Sequence, residues 1–174
     1  MIDLNTLAAD IHAAAVEKGF WDVEDAADKH VAKMHSELSE AVQTDRAGIM
    51  YEVEREGAKP EGVAAELADF VMMALDLLAR EDFDMDEISM HVHKVIRSSE
   101  RCLHQAREST LPALVNNVHK LVSSAVFGNK LDLLCVAVIV VDAWLRARGH
   151  GLWEIIRSKM EYNKSRPKLH GRAY

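Results

Sequence analysis

The stretch Leu131-Asp132-Leu133-Leu134-Cys135-Val136-Ala137-Val138-Ile139-Val140-Val141-Asp142-Ala143-Trp144-Leu145 decides the fold class. Its centre, residues 136–141, is rich in β-branched side chains and has the composition of a strand. The apolar pattern does not stop there. Leu131, Leu133 and Leu134 precede it, and Ala143, Trp144 and Leu145 follow. A strand of the usual length leaves these flanks unexplained, whereas a buried helix of about four turns takes up the whole segment. The reading is helix. Elsewhere, 8 glycines and 3 prolines are too few for the many tight turns of a sandwich or barrel.

Outward from this segment the spacing is helical almost throughout. On its C-terminal side, Gly149-His150-Gly151 ends the helix, and a last helix runs from near Leu152 to before Pro167. On its N-terminal side, Asn129 can cap it, and Ser109-Thr110-Leu111-Pro112 opens the helix before. Asp84-Met85-Asp86-Glu87 resembles a capping box starting a fourth helix that ends near Arg107. Pro60 suits the first turn of a third helix running to about Arg80. Residues 44–59 are mixed and polar and read as a loop with a short helical turn. Asp22 can cap a second helix with Ala27, Val31, Met34, Leu38, Ala41 and Val42 on one face. Leu4, Leu7, Ala8, Ile11 and Ala15 line a first helix that Gly19 stops. The expectation is an all-α bundle of about seven helices, one domain over residues 1–174.

Composition narrows the function. The chain of 174 residues is 49% hydrophobic and 28% charged, enough for a sizeable core. A net charge of −7 argues against coating nucleic acid, which requires Lys and Arg facing phosphates. Cys102 and Cys135 form no CxxC motif or disulfide framework, as expected in a reducing cytoplasm. The N-terminus lacks a signal-peptide pattern. The longest apolar run, residues 133–141, is about half what a bilayer crossing needs. A cytoplasmic protein with neither membrane nor nucleic-acid partners is expected. The many apolar helix faces suggest a homo-oligomer, most simply a dimer.

A weak repeat runs through the chain. Met34-His35-Ser36-Glu37-Leu38-Ser39-Glu40-Ala41-Val42 aligns with Val118-His119-Lys120-Leu121-Val122-Ser123-Ser124-Ala125-Val126, and Leu75-Asp76 with Val141-Asp142. The halves meet near residues 105–112, giving a carboxylate-bearing half, 1–107, and a degenerate half, 108–174. In the second half Glu37 becomes Leu121 and Glu40 becomes Ser124.

Two acidic pairs stand out: Glu37 with Glu40, and Glu66 with Asp69. Residues i and i+3 of a helix lie on one face, so each pair can reach one cation, and two facing pairs can enclose it. An all-oxygen donor set suits Mg²⁺ or Mn²⁺. Spacing alone is weak evidence, because surface helices carry such pairs by chance or as partners of Lys33 or Arg80. The surroundings add weight. Glu66 falls inside the apolar sector of the helix that continues through Phe70 to Leu78, and a buried carboxylate demands a cationic partner. At the far end, Lys159, Tyr162 or Asn163, and Arg166 share one helical face, a donor surface fit for phosphate oxygens. The plain alternative is a basic C-terminal turn complementing the helix dipole.

These blocks together resemble the MazG-like family of all-α nucleoside triphosphate pyrophosphohydrolases, which also includes the dimeric dUTPases. The blocks are His35-Ser36-Glu37-Leu38-Ser39-Glu40-Ala41, then residues 59–69, then Lys159 through Gly171, in the family's order. The resemblance covers about residues 1–80 and 130–171. It implies hydrolysis of a (deoxy)nucleoside triphosphate to the monophosphate and pyrophosphate. It also implies Mg²⁺ held by Glu37, Glu40, Glu66 and Asp69, with Glu37 or Glu40 orienting or deprotonating the attacking water. Phosphate contacts would come from Lys159, Tyr162, Asn163 and Arg166. Trp21, with His12 or Phe20, is a candidate for the base pocket, the plain alternative being that Trp21 is an aromatic plug at a helix end. Two departures stand against the pattern. Many members have a second glutamate where this chain has Ser36, and an insertion of about residues 88–128 separates the two later blocks. Val92, Val95 and Ile96 stand where the first half would carry its own basic face. The repeat accounts for the insertion as a fused, degenerate tandem pair sharing one composite site. The rival readings are a catalytically inactive nucleotide-binding, regulatory or assembly module, favoured by Ser36, and a di-metal redox bundle. The latter wants Glu-x-x-His pairs that this chain lacks.

Overall fold

The computed structural model describes residues 4–53, 58–81 and 100–171. Among these residues it is all-helical: α1 Leu4–Glu17, α2 Ala26–Arg46, α3 Val63–Arg80, α4 Glu100–Glu108, α5 Leu111–Phe127, α6 Lys130–Arg146 and α7 Leu152–Lys164, with a short 3₁₀ turn, Lys168–Gly171. The expected capping box at residues 84–87 and the positions Val92, Val95 and Ile96 lie outside the described residues.

The segment that decided the fold class is α6. Val138, Ile139, Val140 and Val141 lie inside it, and its core positions Leu134, Val141, Trp144 and Leu145 are buried. Burial on most faces explains the strand-like composition: β-branched side chains cost a helix little once packing decides. Helix α3 is its counterpart, with Leu67, Ala68, Phe70, Val71, Ala74 and Leu78 fully buried.

Several boundaries follow the sequence. Thr110 caps α5, its Oγ1 accepting from the Ala113 amide, and Asn129 caps α6 by accepting from the Asp132 amide at 3.2 Å. Two boundaries do not. Asp22 does not cap α2, which begins four residues later; its carboxylate accepts instead from Lys168 Nζ at 2.9 Å. Pro60 is not in the first turn of α3. It precedes Glu61, which pairs with Glu52 in an isolated antiparallel bridge, and Gly62 turns the chain into the helix at φ 107°. Only glycine fits there, since a Cβ would lie 2.6 Å from the Met50 carbonyl oxygen. The polar stretch expected as a loop from residue 44 is helical as far as Arg46.

The helices pack in a repeated scheme. Helix α3 packs on α1 and α2, and α6 packs in the same way on α4 and α5. Across the halves, α2 meets α5 and α3 meets α6. His35 and His119, which align in the sequence repeat, touch each other: their Nδ1 atoms are 2.7 Å apart and their rings are inclined by 14°. Helix α7, which follows α6 in the chain, crosses over to pack on α3. That crossing brings the C-terminal basic face to the acidic half.

Candidate functional site

Helices α2 and α3 supply the carboxylates. Ligand oxygens of Glu37, Glu40 and Glu66 all lie within 4.8 Å of one another. Glu37 is buried and Glu66 half-buried, because α2 and α3 pack closely through Met34, Leu38 and Ala41 on one side and the apolar face of α3 on the other. Burial, with Asp69 adding like charge, pushes the Glu37 carboxyl up to about 7. Burial also raises Glu66, opposed by the nearby Lys159 ammonium. A cation binding to crowded acids of this kind displaces their protons to solvent and relieves the like-charge repulsion.

The fourth expected ligand, Asp69, stands differently. Its Oδ2 is paired with Lys159 Nζ, which also donates to the Ala65 carbonyl at 3.0 Å. The Lys159 side chain is only 4% exposed. The resemblance assigned this lysine to phosphate, whereas its ammonium is committed to Asp69 and to the backbone of α3. It pins α7 to α3 beside the acidic trio. The structure thus gathers three of the four acids around one point and places the fourth next to them under a fixed counter-charge.

These groups border a cleft of about 1000 Å³, at the upper end of the usual small-molecule range. Glu37, Glu40, Glu66 and Asp69 line it, together with residues of α1 and with Tyr162, Asn163 and Arg166 of the C-terminal segment. The Arg166 guanidinium lies 5.7 Å from the Tyr162 ring centroid and donates to Asn163 Oδ1 at 3.4 Å. The C-terminal turn is held against the α1–α2 corner: Lys18 Nζ donates to the Arg166 carbonyl at 2.6 Å, the Leu169 amide to the Lys18 carbonyl at 2.8 Å, and Phe20 meets His170 edge-on.

The two residues expected at a base pocket, Trp21 and His12, come together on Asp76. His12 Nδ1 donates to Asp76 Oδ1 at 2.6 Å, and Trp21 Nε1 to the same oxygen at 3.1 Å. The indole stacks on His30, centroids 4.7 Å apart, and the Arg80 guanidinium sits 4.1 Å from its ring centroid. His30 Nε2 donates to the Met73 carbonyl at 2.9 Å, and burial lowers its pKa. Asp76 is 3% exposed, and burial raises its carboxyl despite the donors His12 and Trp21 and the nearby His30 ring. Asp76 and His30 border the cleft. Sequence reasoning did not single them out as functional, although an aspartate inside the apolar run Phe70–Leu78 was a signal of a buried polar partner.

Ser36 Oγ donates to Glu40 Oε1 at 2.7 Å. Cys135 is buried, and its thiol is pushed up to about 12, which removes it as a nucleophile. Among the described residues no helix is long and apolar enough to cross a membrane. Compared with known protein families, with curated proteins and with solved structures, the chain gives no match.

Proposed function

We propose that the chain is a Mg²⁺-dependent pyrophosphohydrolase of a (deoxy)nucleoside triphosphate, of the MazG-like kind, built as a fused tandem pair with one composite site. The observation that carries this reading is the convergence of Glu37, Glu40 and Glu66 from two helices, on a cleft that Tyr162, Asn163 and Arg166 also line. The donor set is all oxygen and partly desolvated, which fits a hard divalent cation. Glu37, Glu40 and Glu66 would hold the ion, with Asp69 beside them under the charge of Lys159.

When bound, Mg²⁺ polarises the α-phosphate and eases ionisation of the attacking water. The chain's own residues do the rest. Glu37 or Glu40 orients or deprotonates the attacking water. Tyr162, Asn163 and Arg166 bind the β- and γ-phosphates and take up charge on the departing pyrophosphate. Asp76 borders the cleft and holds His12 and Trp21, which do not themselves line it; of the residues expected at a base pocket, Phe20 does. Homodimer formation and a cytoplasmic location belong to the same reading; Phe127, 92% exposed, offers an apolar surface for association.

The test is pyrophosphate release from a panel of all common ribo- and deoxyribonucleoside triphosphates. At least one substrate should be cleaved in Mg²⁺, and the double substitution Glu66→Ala with Asp69→Ala should abolish cleavage. Release unchanged in that variant would refute the assignment.

A second reading is a catalytically inactive nucleotide-binding module. Ser36 favours it, since this side chain ties back Glu40 where a further carboxylate could serve as ligand or base. Calorimetric binding of Mg²⁺ and a non-hydrolysable triphosphate, with no turnover of any nucleotide, would select it.

A further inference from the structure

Two lysines meet the acidic cluster, and they are held in different ways. Lys159 is enclosed and has a carbonyl partner besides Asp69. Lys33 lies one turn before Glu37 on α2, its side chain is 32% exposed, and it borders the cleft. Its ammonium is paired with Glu37 Oε1 and lies 3.6 Å from Glu40 Oε1. It therefore stands on two of the three acids that converge at the candidate centre.

We propose that Lys33 is a displaceable counter-ion: it neutralises the acidic centre before a divalent cation arrives, is driven off when the cation binds, and then pairs with the triphosphate, coupling metal binding to nucleotide binding. This inference rests on the pyrophosphohydrolase reading and names a positioning residue within it. Three carboxylates this close either keep a proton or draw positive charge in the metal-free state, and above the raised titration of Glu37 the second course is the one left. An ammonium and a divalent ion on the same two carboxylates repel each other. Lys159 cannot yield without orphaning the Ala65 carbonyl and burying an unpaired charge. Lys33 can yield, because a flexible four-carbon stem lets its head swing into the cleft. There the strongest available anion is the polyphosphate of the substrate. Linkage makes the effect reciprocal, so the cation tightens nucleotide binding by the same factor as nucleotide tightens cation binding.

The experiment is calorimetry on the full chain at pH 8.5, where Glu37 is ionised. Mg²⁺ alone is titrated first, then magnesium tripolyphosphate at saturating Mg²⁺, for the wild type, Lys33→Gln, Lys33→Arg and Glu66→Gln. Lys33→Gln should bind Mg²⁺ alone about tenfold more tightly and magnesium tripolyphosphate about tenfold more weakly, a coupling of ordinary size. Lys33→Arg should stay close to the wild type. If Lys33→Gln binds Mg²⁺ no more tightly than the wild type while Glu66→Gln loses it, Lys33 is not a competitor and this inference fails, with the metal centre standing. If the wild type binds Mg²⁺ no better than Glu66→Gln, the metal centre fails and the inference with it.

Discussion

Glu37 is the residue on which the chemistry turns. Its carboxyl, raised from 4.5 to about 7, favours the protonated form in the folded, metal-free chain. The contribution to stability is therefore full below about pH 4.5 and is lost as pH rises through about 7, a loss of roughly 3 kcal/mol. Denaturant titrations of the metal-free protein at pH 4 and pH 8 should show this fall, and Glu37→Gln should flatten it. Mg²⁺ affinity should run the opposite way, rising with pH as the proton that competes for Glu37 leaves. Lys159 gives a second residue-scale expectation. Lys159→Met leaves Asp69 without its counter-charge and the Ala65 carbonyl without its donor, and unfolding should become easier by about 3–5 kcal/mol. The ExxE and ExxD spacings made the acids readable from sequence. The fate of Lys159 was not readable, because a lysine on a helical face looks the same whether it meets phosphate or a carboxylate of another helix.

At the scale of elements, the helices were legible where apolar periodicity is long and a cap stands alone. Thr110 and Asn129 cap as expected. Asp22 has a partner in Lys168, from the far end of the chain, and so caps nothing. Pro60 pointed to a helix start that Gly62 provides instead, through a backbone approach invisible in the sequence. Gly62→Ala should cost about 1–3 kcal/mol, since it combines a left-sided φ with a clash against the Met50 carbonyl. Phe70→Ala in the middle of α3 should cost about 3–5 kcal/mol, because the ring is fully buried. Thermal melts of the two variants check both values.

At the scale of the molecule, the repeated packing explains why the acidic and basic blocks, far apart in sequence, share one cleft. Helix α3 is covered by α6 and α7 from the second half, and α2 by α5. The alignment of His35 with His119 was visible in the sequence; that these residues touch was not, because a repeat does not specify how its copies associate. A chain ending near residue 104 should lose cooperative unfolding and all Mg²⁺-dependent turnover, since it would expose the covered face of α3 and lack Tyr162, Asn163 and Arg166. A melt and a pyrophosphate assay on that fragment decide this point.

The most direct measurement of the central claim is an anomalous-scattering map from crystals of the full chain grown with Mn²⁺ and a non-hydrolysable nucleoside triphosphate. A manganese peak should stand among Glu37, Glu40 and Glu66, with the phosphates running from it toward Tyr162, Asn163 and Arg166. Manganese away from those carboxylates, or a nucleotide bound outside the cleft lined by α1, α2, α3 and α7, would contradict the account.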